Sequence, residues 1–275
     1  MRPIDVRHMG REKVICCWEV DGLLIDPGPQ SSEETLLAAL GGERPRGIVL
    51  THIHLDHAGA TGSLVRRWPD LPVYVHERGA PHLVDPSKLI ASASRLYDDM
   101  DERWGEIVPV PEASVRVMRD GDRVEGFRVA YTPGHASHHV CFLHEDSGRA
   151  FAGDMVGVRI PPSSLTVMPT PPPDIDVEAW QDSISTVAGW RPTALALTHF
   201  GLHEDVDTVV EAAREELAKL ARDARELDAE SFRERFEDDV AARAGDGDLR
   251  DTYRQAAPPV LQHLGLDRYW RKRAG

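Results

Sequence analysis

The sequence is poor in thiols: only Cys16, Cys17 and Cys141 are present among 275 residues. Three cysteines do not build a disulfide framework, and each sits in an apolar, strand-like run that reads as a buried position. Nor is there an apolar run of the ~20 residues that a membrane-spanning helix requires. The opening Met-Arg-Pro-Ile-Asp-Val-Arg lacks the apolar core of a signal peptide. A cytoplasmic protein with no membrane partner is therefore the expectation. Long basic runs are missing too, and the net charge is −14. Because phosphate backbones are held by lysine and arginine, this argues against nucleic acid as a partner. No internal repeat is evident. What remains is an ordinary globular composition, long enough for one large core or for a core with a smaller appended domain.

Chemistry is concentrated in one stretch, Gly47-Ile-Val-Leu-Thr-His-Ile-His-Leu-Asp-His-Ala-Gly59, where an apolar run ends in three histidines and an aspartate. Neutral imidazoles and a carboxylate suit zinc and also accept iron, manganese, cobalt or nickel. In an extended backbone His52 and His54, separated by Ile53, point to one side and can reach one ion. Asp56 and His57 follow where the chain turns into a helix, so they face elsewhere and can serve a second ion. The competing reading is a loop of solvated histidines; four ligand types packed directly behind a buried strand weigh against it.

Around this stretch, Val14 to Val20 and Leu23 to Ile25 form a hairpin pattern joined by Asp21-Gly22. Ser31 and Glu34 have the spacing of a capping box for a helix through Leu36, Leu37 and Leu40 that stops at Gly41-Gly42. A helix over about Ala60 to Arg67 and a strand at Val73 to Val75 continue the alternation of βαβ units. Next, Asp85 and Pro86 open an amphipathic helix carrying Leu89, Ala93, Leu96, Met100 and Trp104. Its apolar stripe reads first as core, with Tyr97, Met100 and Trp104 as pocket candidates. From Ser114 the period changes to two, and Val115 to Met118, Arg123 to Tyr131, Val140 to His144 and Arg149 to Ala152 read as an antiparallel meander. Two of its strands end in ligand types, at His135 and Asp154, and the later run Ala194-Leu-Ala-Leu-Thr-His199 ends in another. Prolines between Met168 and Pro173 imply a stiff surface loop at the rim of the site. A helix over about Val177 to Gly189 precedes the His199 strand. Beyond it, Val206 to Leu227 forms a long amphipathic helix, Ser231 and Glu234 cap another, and a last helical piece ends in the basic Arg268-Tyr-Trp-Arg-Lys-Arg273. That tail reads as a solvated helix end, with docking on a second copy in a homodimer, or binding of an acidic substrate group, as the other options.

The order His52-x-His54-x-Asp56-His57, His135, Asp154, His199, with Ile25-Asp-Pro-Gly28 ahead of it, resembles the metallo-β-lactamase superfamily of binuclear metallohydrolases. The resemblance covers about residues 10 to 205 and implies an α/β, four-layer αββα sandwich of two mixed sheets flanked by helices. It implies a catalytic domain over 1–204, a helical insertion at about 84–105 and a C-terminal helical extension over 205–275. Carried over by position, His52, His54 and His135 take one divalent ion, Asp56, His57 and His199 take a second, and Asp154 bridges them; zinc is the first expectation, iron or manganese the alternatives. A metal-bridging hydroxide would then cleave a small ester, thioester or lactone, with Asp56 orienting it and passing a proton to the leaving group. Asp26 and Thr51 are placed to support the imidazoles, and His138 and His139 to line the site.

The helical extension is similar to that of glyoxalase II, which cleaves a hydroxyacyl glutathione thioester. Yet the last ligand lies in Leu-Thr-His199-Phe-Gly rather than in that enzyme's Cys-Gly-His-Glu-Tyr, so the glutathione-binding residues do not carry over. The alternative from another class is an iron-dependent persulfide dioxygenase of the same fold, which uses one metal. A phosphodiesterase or nuclease would want basic surface, and a β-lactamase would want an export signal.

Overall fold

The computed structural model describes residues 1–274; Gly275, the end of the anticipated extension, lies outside them. Two six-stranded sheets form its centre, each taking its strands in chain order. The first contains β1 (Arg2–Asp5), β2 (Cys16–Val20), β3 (Leu23–Ile25), β4 (Gly47–Val49), β5 (Val73–His76) and β6 (Val115–Met118). Strands β1 to β3 are antiparallel and β3 to β6 parallel. The second contains β7 (Arg123–Val124), β8 (Phe127–Tyr131), β9 (Val140–His144), β10 (Arg149–Gly153), β11 (Ala194–Leu197) and β12 (Gly201–His203). All its pairs are antiparallel except β10 with β11.

Period-two alternation decides how these sheets stack. In β2, Cys16, Trp18 and Val20 face the second sheet, meeting Phe127, Val129, Phe142 and Phe151 in a dry inter-sheet layer. Their neighbour Cys17, with Leu24, Ile48 and Val73, faces outward onto helices α1 (Glu33–Leu40), α2 (Leu55–Ala58) and α3 (Thr61–Arg67). Trp18 ties the layers together, its indole donating to the Leu197 carbonyl at 3.1 Å. The expected αββα sandwich of two mixed sheets is therefore the observed fold. All three cysteines are buried free thiols, as anticipated.

Several local expectations are corrected. The strand Val115–Met118 does not open the meander: it pairs parallel with β5 and closes the first sheet, and the chain crosses to the second sheet at Arg119 to Asp122. The single helix expected from Asp85 is two pieces, α5 (Ser87–Ala93) and α6 (Met100–Trp104), preceded by a separate short helix α4 (Ala80–Val84). The break spans Ser94 to Asp99, and the Asp99 carboxylate at its end is bound by Arg103. Ser31 caps nothing; its hydroxyl donates to the Arg103 carbonyl, joining α6 to the start of α1.

The second sheet's outer face is covered by α7 (Val177–Gly189), α8 (Val206–Glu226), α9 (Ala229–Arg243), α10 (Gly247–Ala256) and α11 (Pro259–Ala274). Helix α9 starts earlier than the Ser231 spacing implied, because Asp228 takes the Ser231 N–H at 2.8 Å and acts as the cap. Phe232, Phe236, Tyr253, Leu266 and Tyr269 share one core with Trp180 of α7 and Leu195 of β11. The basic tail is neither free nor unsupported: Arg268 and Lys272 both donate to the Pro173 carbonyl, Tyr269 and Arg273 bind Glu178, and Trp270 donates to Ala221.

Candidate metal centre

Every proposed ligand sits just beyond a strand end, at one edge of the sandwich. Strand β4 runs into Leu50-Thr51-His52 and then α2, which supplies Asp56 and His57. His135 follows β8, Asp154 follows β10 and His199 follows β11. Seven candidate ligands that are up to 147 residues apart in sequence thus gather in two groups: His52, His54, His135 and Asp154 in one, Asp56, His57 and His199 in the other.

The groups share Asp154. Its Oδ2 lies 3.2 Å from His135 Nε2 and 4.0 Å from His52 Nε2, while Oδ1 lies 3.3 Å from His57 Nε2 and 3.6 Å from His199 Nε2. The Asp56 carboxylate approaches the second group, 3.3 Å from His199 Nε2 and 3.8 Å from His57 Nε2. In the first group His54 Nδ1 is 3.0 Å from His52 Nε2 and 2.9 Å from His135 Nε2.

Outer partners fix which nitrogen of each ring faces this space. His135 Nδ1–H donates to the Pro169 carbonyl at 2.8 Å, and His199 Nδ1–H to the Val14 carbonyl at 2.6 Å. His57 Nδ1–H donates to Asp26 at 2.8 Å. The Thr51 hydroxyl donates to Asp26 at 2.7 Å, which leaves it to accept from His52 Nδ1–H at 3.1 Å. All four rings therefore turn Nε2 inward, the atom that offers a lone pair to a cation once its ring is neutral. The inner atoms His57 Nε2, His199 Nε2 and Asp154 Oδ1 are buried with no hydrogen-bond partner. Buried polar atoms are rarely left so; convergent lone pairs and carboxylates without donors are the complement of a cation, and this donor set fits divalent metal.

Charge state agrees. Burial holds His52 and His135 below the ordinary histidine value and lowers His54 to about 4, so these rings stay neutral. Burial also disfavours the charged forms of His57 and His199, but Asp154 and Asp56 outweigh it and raise both. Burial would likewise raise Asp56 and Asp154, yet the histidines facing them, His57 foremost, hold both carboxyls down. The second group therefore carries protons that a cation must displace.

The supporting candidates separate by role. Asp26 is fully buried and accepts four hydrogen bonds, from the Thr51 N–H and hydroxyl, His57 and the Thr198 hydroxyl. It binds the ends of β3, β4 and β11 into one knot, with its own backbone held at φ 51°. His138 lines the cavity over the first group, its ring 6.1 Å from that of His52 and its Nδ1 without a partner. His139 does not line the cavity: it lies behind Asp154, accepting that residue's N–H at 3.3 Å while bonded to Thr132. Gly153 makes room for it, since a Cβ there would come within 2.8 Å of both Thr51 and His139.

Above the ligands opens a cavity of about 300 Å³. His54, Asp56, His135 and Asp154 form its floor; Leu89, Ala93, Leu96, Tyr97 and Trp104 form one wall, and Pro169, Pro171 to Pro173 and Leu261 the other. Tyr97 is therefore a pocket residue, as is Trp104, whereas Met100 packs behind them. Thr198, Gln262 and the α11 wall went unnoticed in the sequence. The first had a signal, because Leu50-Thr51-His52 recurs as Leu197-Thr198-His199.

A sandwich of two mixed sheets whose shared edge gathers five histidines and two aspartates around unpartnered lone pairs is a metallohydrolase-type scaffold. Residues 19–199, more than half of the chain, match the metallo-beta-lactamase superfamily, and the chain belongs to that superfamily. Among its relatives, a probable metallo-hydrolase of Bacillus subtilis is 30% identical over 206 residues, covering 64% of this chain and 74% of the relative. A metallo-beta-lactamase fold-containing protein of Sulfurisphaera tokodaii is 29% identical over 163 residues, 56% of this chain and 60% of its own length. An atrochrysone carboxyl ACP thioesterase of Aspergillus fumigatus is 31% identical over 162 residues, 56% of this chain but 42% of its own length. The crystal structure of an archaeal superfamily member from Sulfolobus tokodaii superposes with a TM-score of 0.71 at 21% identity, covering 96% of this chain and 97% of that one. The likeness runs through the C-terminal helices.

Proposed function

We propose that the protein is a binuclear metal-dependent hydrolase of a small ester, thioester or lactone. The observation that carries this reading is the division of Asp154: one oxygen turned to the His52, His54 and His135 group, the other to His57 and His199. His52, His54 and His135 would hold one ion and Asp56, His57 and His199 the other. The imidazole and carboxylate set favours zinc, with iron or manganese as alternatives. When bound, a pair of such cations acidifies a water and polarises a carbonyl oxygen.

The chain's own residues do the rest. Asp56 is the carboxylate open to the cavity, its side chain 23% exposed against 3% or less for Asp154, His57 and His199. Held ionised, it can accept a proton from the attacking water and return it to the leaving group. His138, buried and neutral at the cavity wall, is placed to hydrogen-bond a substrate oxygen. The apolar walls exclude bulk water from the reacting bond. The thioesterase relative supports thioesters among the candidates, and the complete second set of candidate ligands, Asp56, His57 and His199, favours this reading over a single-iron persulfide dioxygenase.

Two measurements test it. Protein purified without added metal should contain close to two ions per chain; a single iron, with oxygen consumption on a persulfide, would overturn it. A panel of thioesters, esters, lactones, phosphodiesters and β-lactams should show turnover of the carboxylic derivatives, reduced by at least about a hundredfold in Asp56→Ala.

A further inference from the structure

The cavity has more chemistry than cleavage at the metals needs. At roughly 30 Å³ for each water-sized group, its volume of about 300 Å³ holds on the order of ten non-hydrogen atoms beyond the ligands. Leu89, Ala93, Tyr97 and Trp104 line one side, and Pro172 and Leu261 the other. These walls come from two segments outside the sheets: the broken helices between β5 and β6, and the proline loop with α11.

The second wall is fixed, not loose. Gln262 Oε1 accepts the Thr170 N–H at 2.6 Å, and the Thr170 hydroxyl donates to Gln262 at 3.0 Å. At Gly265 a Cβ would come within 1.9 Å of the Thr170 carbonyl, so α11 lies directly on the loop backbone. A rigid apolar slot leading down to metal ligands selects an apolar group next to the reacting carbonyl. At the mouth the chemistry changes. Arg78 and Lys88 line it, neither in an ion pair among the described residues; Arg78 stacks over Tyr131 at 5.3 Å. The anion on this rim, Asp174, is already bonded to the Ser137 hydroxyl at 2.5 Å. In a chain of net charge −14, two cations at the entrance outside any ion pair among the described residues mark where a negative group rests.

We propose that the substrate is a thioester or ester of an apolar acyl group of about six to eight carbons, carried on an anionic leaving group. The acyl chain lies between Leu89 and Leu261, and the leaving group's charge faces Arg78 and Lys88. This deepens the hydrolase reading and rests on it.

The test uses metal-loaded full-length protein and acyl thioesters, acetyl to dodecanoyl, of two thiols: neutral N-acetylcysteamine and anionic mercaptopropanesulfonate. kcat/KM should rise about fourfold per added methylene to about hexanoyl or octanoyl and then fall. The sulfonate series should exceed the neutral one by about fivefold, an advantage lost in Arg78→Glu/Lys88→Glu and at high salt. Leu261→Trp should lower the octanoyl-to-acetyl ratio by at least tenfold. Leu89→Phe, at a partly exposed position, should do so more mildly and serves if the tryptophan variant does not fold. Turnover that is flat with chain length, or best for acetyl, overturns the acyl assignment while the hydrolase stands. Equal rates on both carriers overturn the anionic half. If none of these thioesters is cleaved while esters or lactones are, the acyl and carrier assignments fail and the hydrolase stands; if thioesters, esters and lactones are all left intact, the hydrolase reading itself has failed.

Discussion

Replacing Asp26 by asparagine tests how the second ligand group is held. The carboxylate Oδ1 takes the Thr51 N–H at 2.9 Å, and Oδ2 takes the hydroxyls of Thr51 and Thr198 and His57 Nδ1–H at 2.7 to 2.9 Å. Asparagine has the same shape but one acceptor oxygen. With that oxygen on Thr51 N–H, an NH₂ group faces two hydroxyls and a ring nitrogen. The hydroxyls can rotate and accept. His57 can accept only by moving its proton to Nε2, which turns an N–H toward the position a cation needs. Hydrogen bonds to a charged acceptor contribute about 1.5–3 kcal/mol each, and part is regained by rearrangement. The expected loss is therefore about 2–4 kcal/mol, or roughly 4–16 °C in Tm for a chain of this length. The larger effect falls on metal: a displaced orienting partner costs about 10- to 100-fold in affinity. After gel filtration, Asp26→Asn should keep about one ion per chain where the wild type keeps two, read by plasma emission spectrometry. A variant that melts early but holds two ions at wild-type affinity would refute the tautomer argument.

Further outcomes are expected. In metal-free protein, the raised His57 and His199 contribute stability that is complete below 6.5 and lost as pH climbs through their raised values. The lowered His52, His54, His138 and His139 lose stability as pH falls below 6.5. Its Tm should thus peak near that pH, and a monotonic profile from pH 5 to 9 by differential scanning fluorimetry would contradict the assignment. Metal affinity by chelator competition should rise with pH over the range where His57 and His199 give up their protons. Gly265→Ala must push α11 off Thr170 and should cost about 1–3 kcal/mol in urea melts, with a weaker chain-length preference in the thioester series. Phe232→Ala, on the buried face of α9, should cost about 3–5 kcal/mol without altering metal stoichiometry.

The convergence of the candidate ligands was legible because metal chemistry demands particular side chains, and apolar runs before His52, His135, Asp154 and His199 announced strand ends. Sheet membership was not. Val115 to Met118 alternates like the meander strands after it, and alternation says that a segment is extended, not which neighbour it pairs with. The apolar stripe from Leu89 to Trp104 concealed its break, since helical spacing survives on both sides of it. Caps were misplaced by a few residues, because Ser31 and Ser231 have the composition of caps while Arg103 and Asp228 engage them. Gln262 left no signal: a glutamine in a C-terminal helix acquires meaning only from Thr170, 92 residues away.

Each sheet takes its strands from one half of the chain, and each half owns an incomplete set of ligands. His52, His54, Asp56 and His57 belong to the half ending at β6; His135, Asp154 and His199 belong to the half that begins at β7. The candidate site thus spans the two halves like a latch, and metal binding there would require both to have docked. Cut in the exposed Arg119–Asp122 turn, the two pieces are expected to reassemble better with a divalent cation than with a chelator, and metal stoichiometry would then count each reassembled molecule.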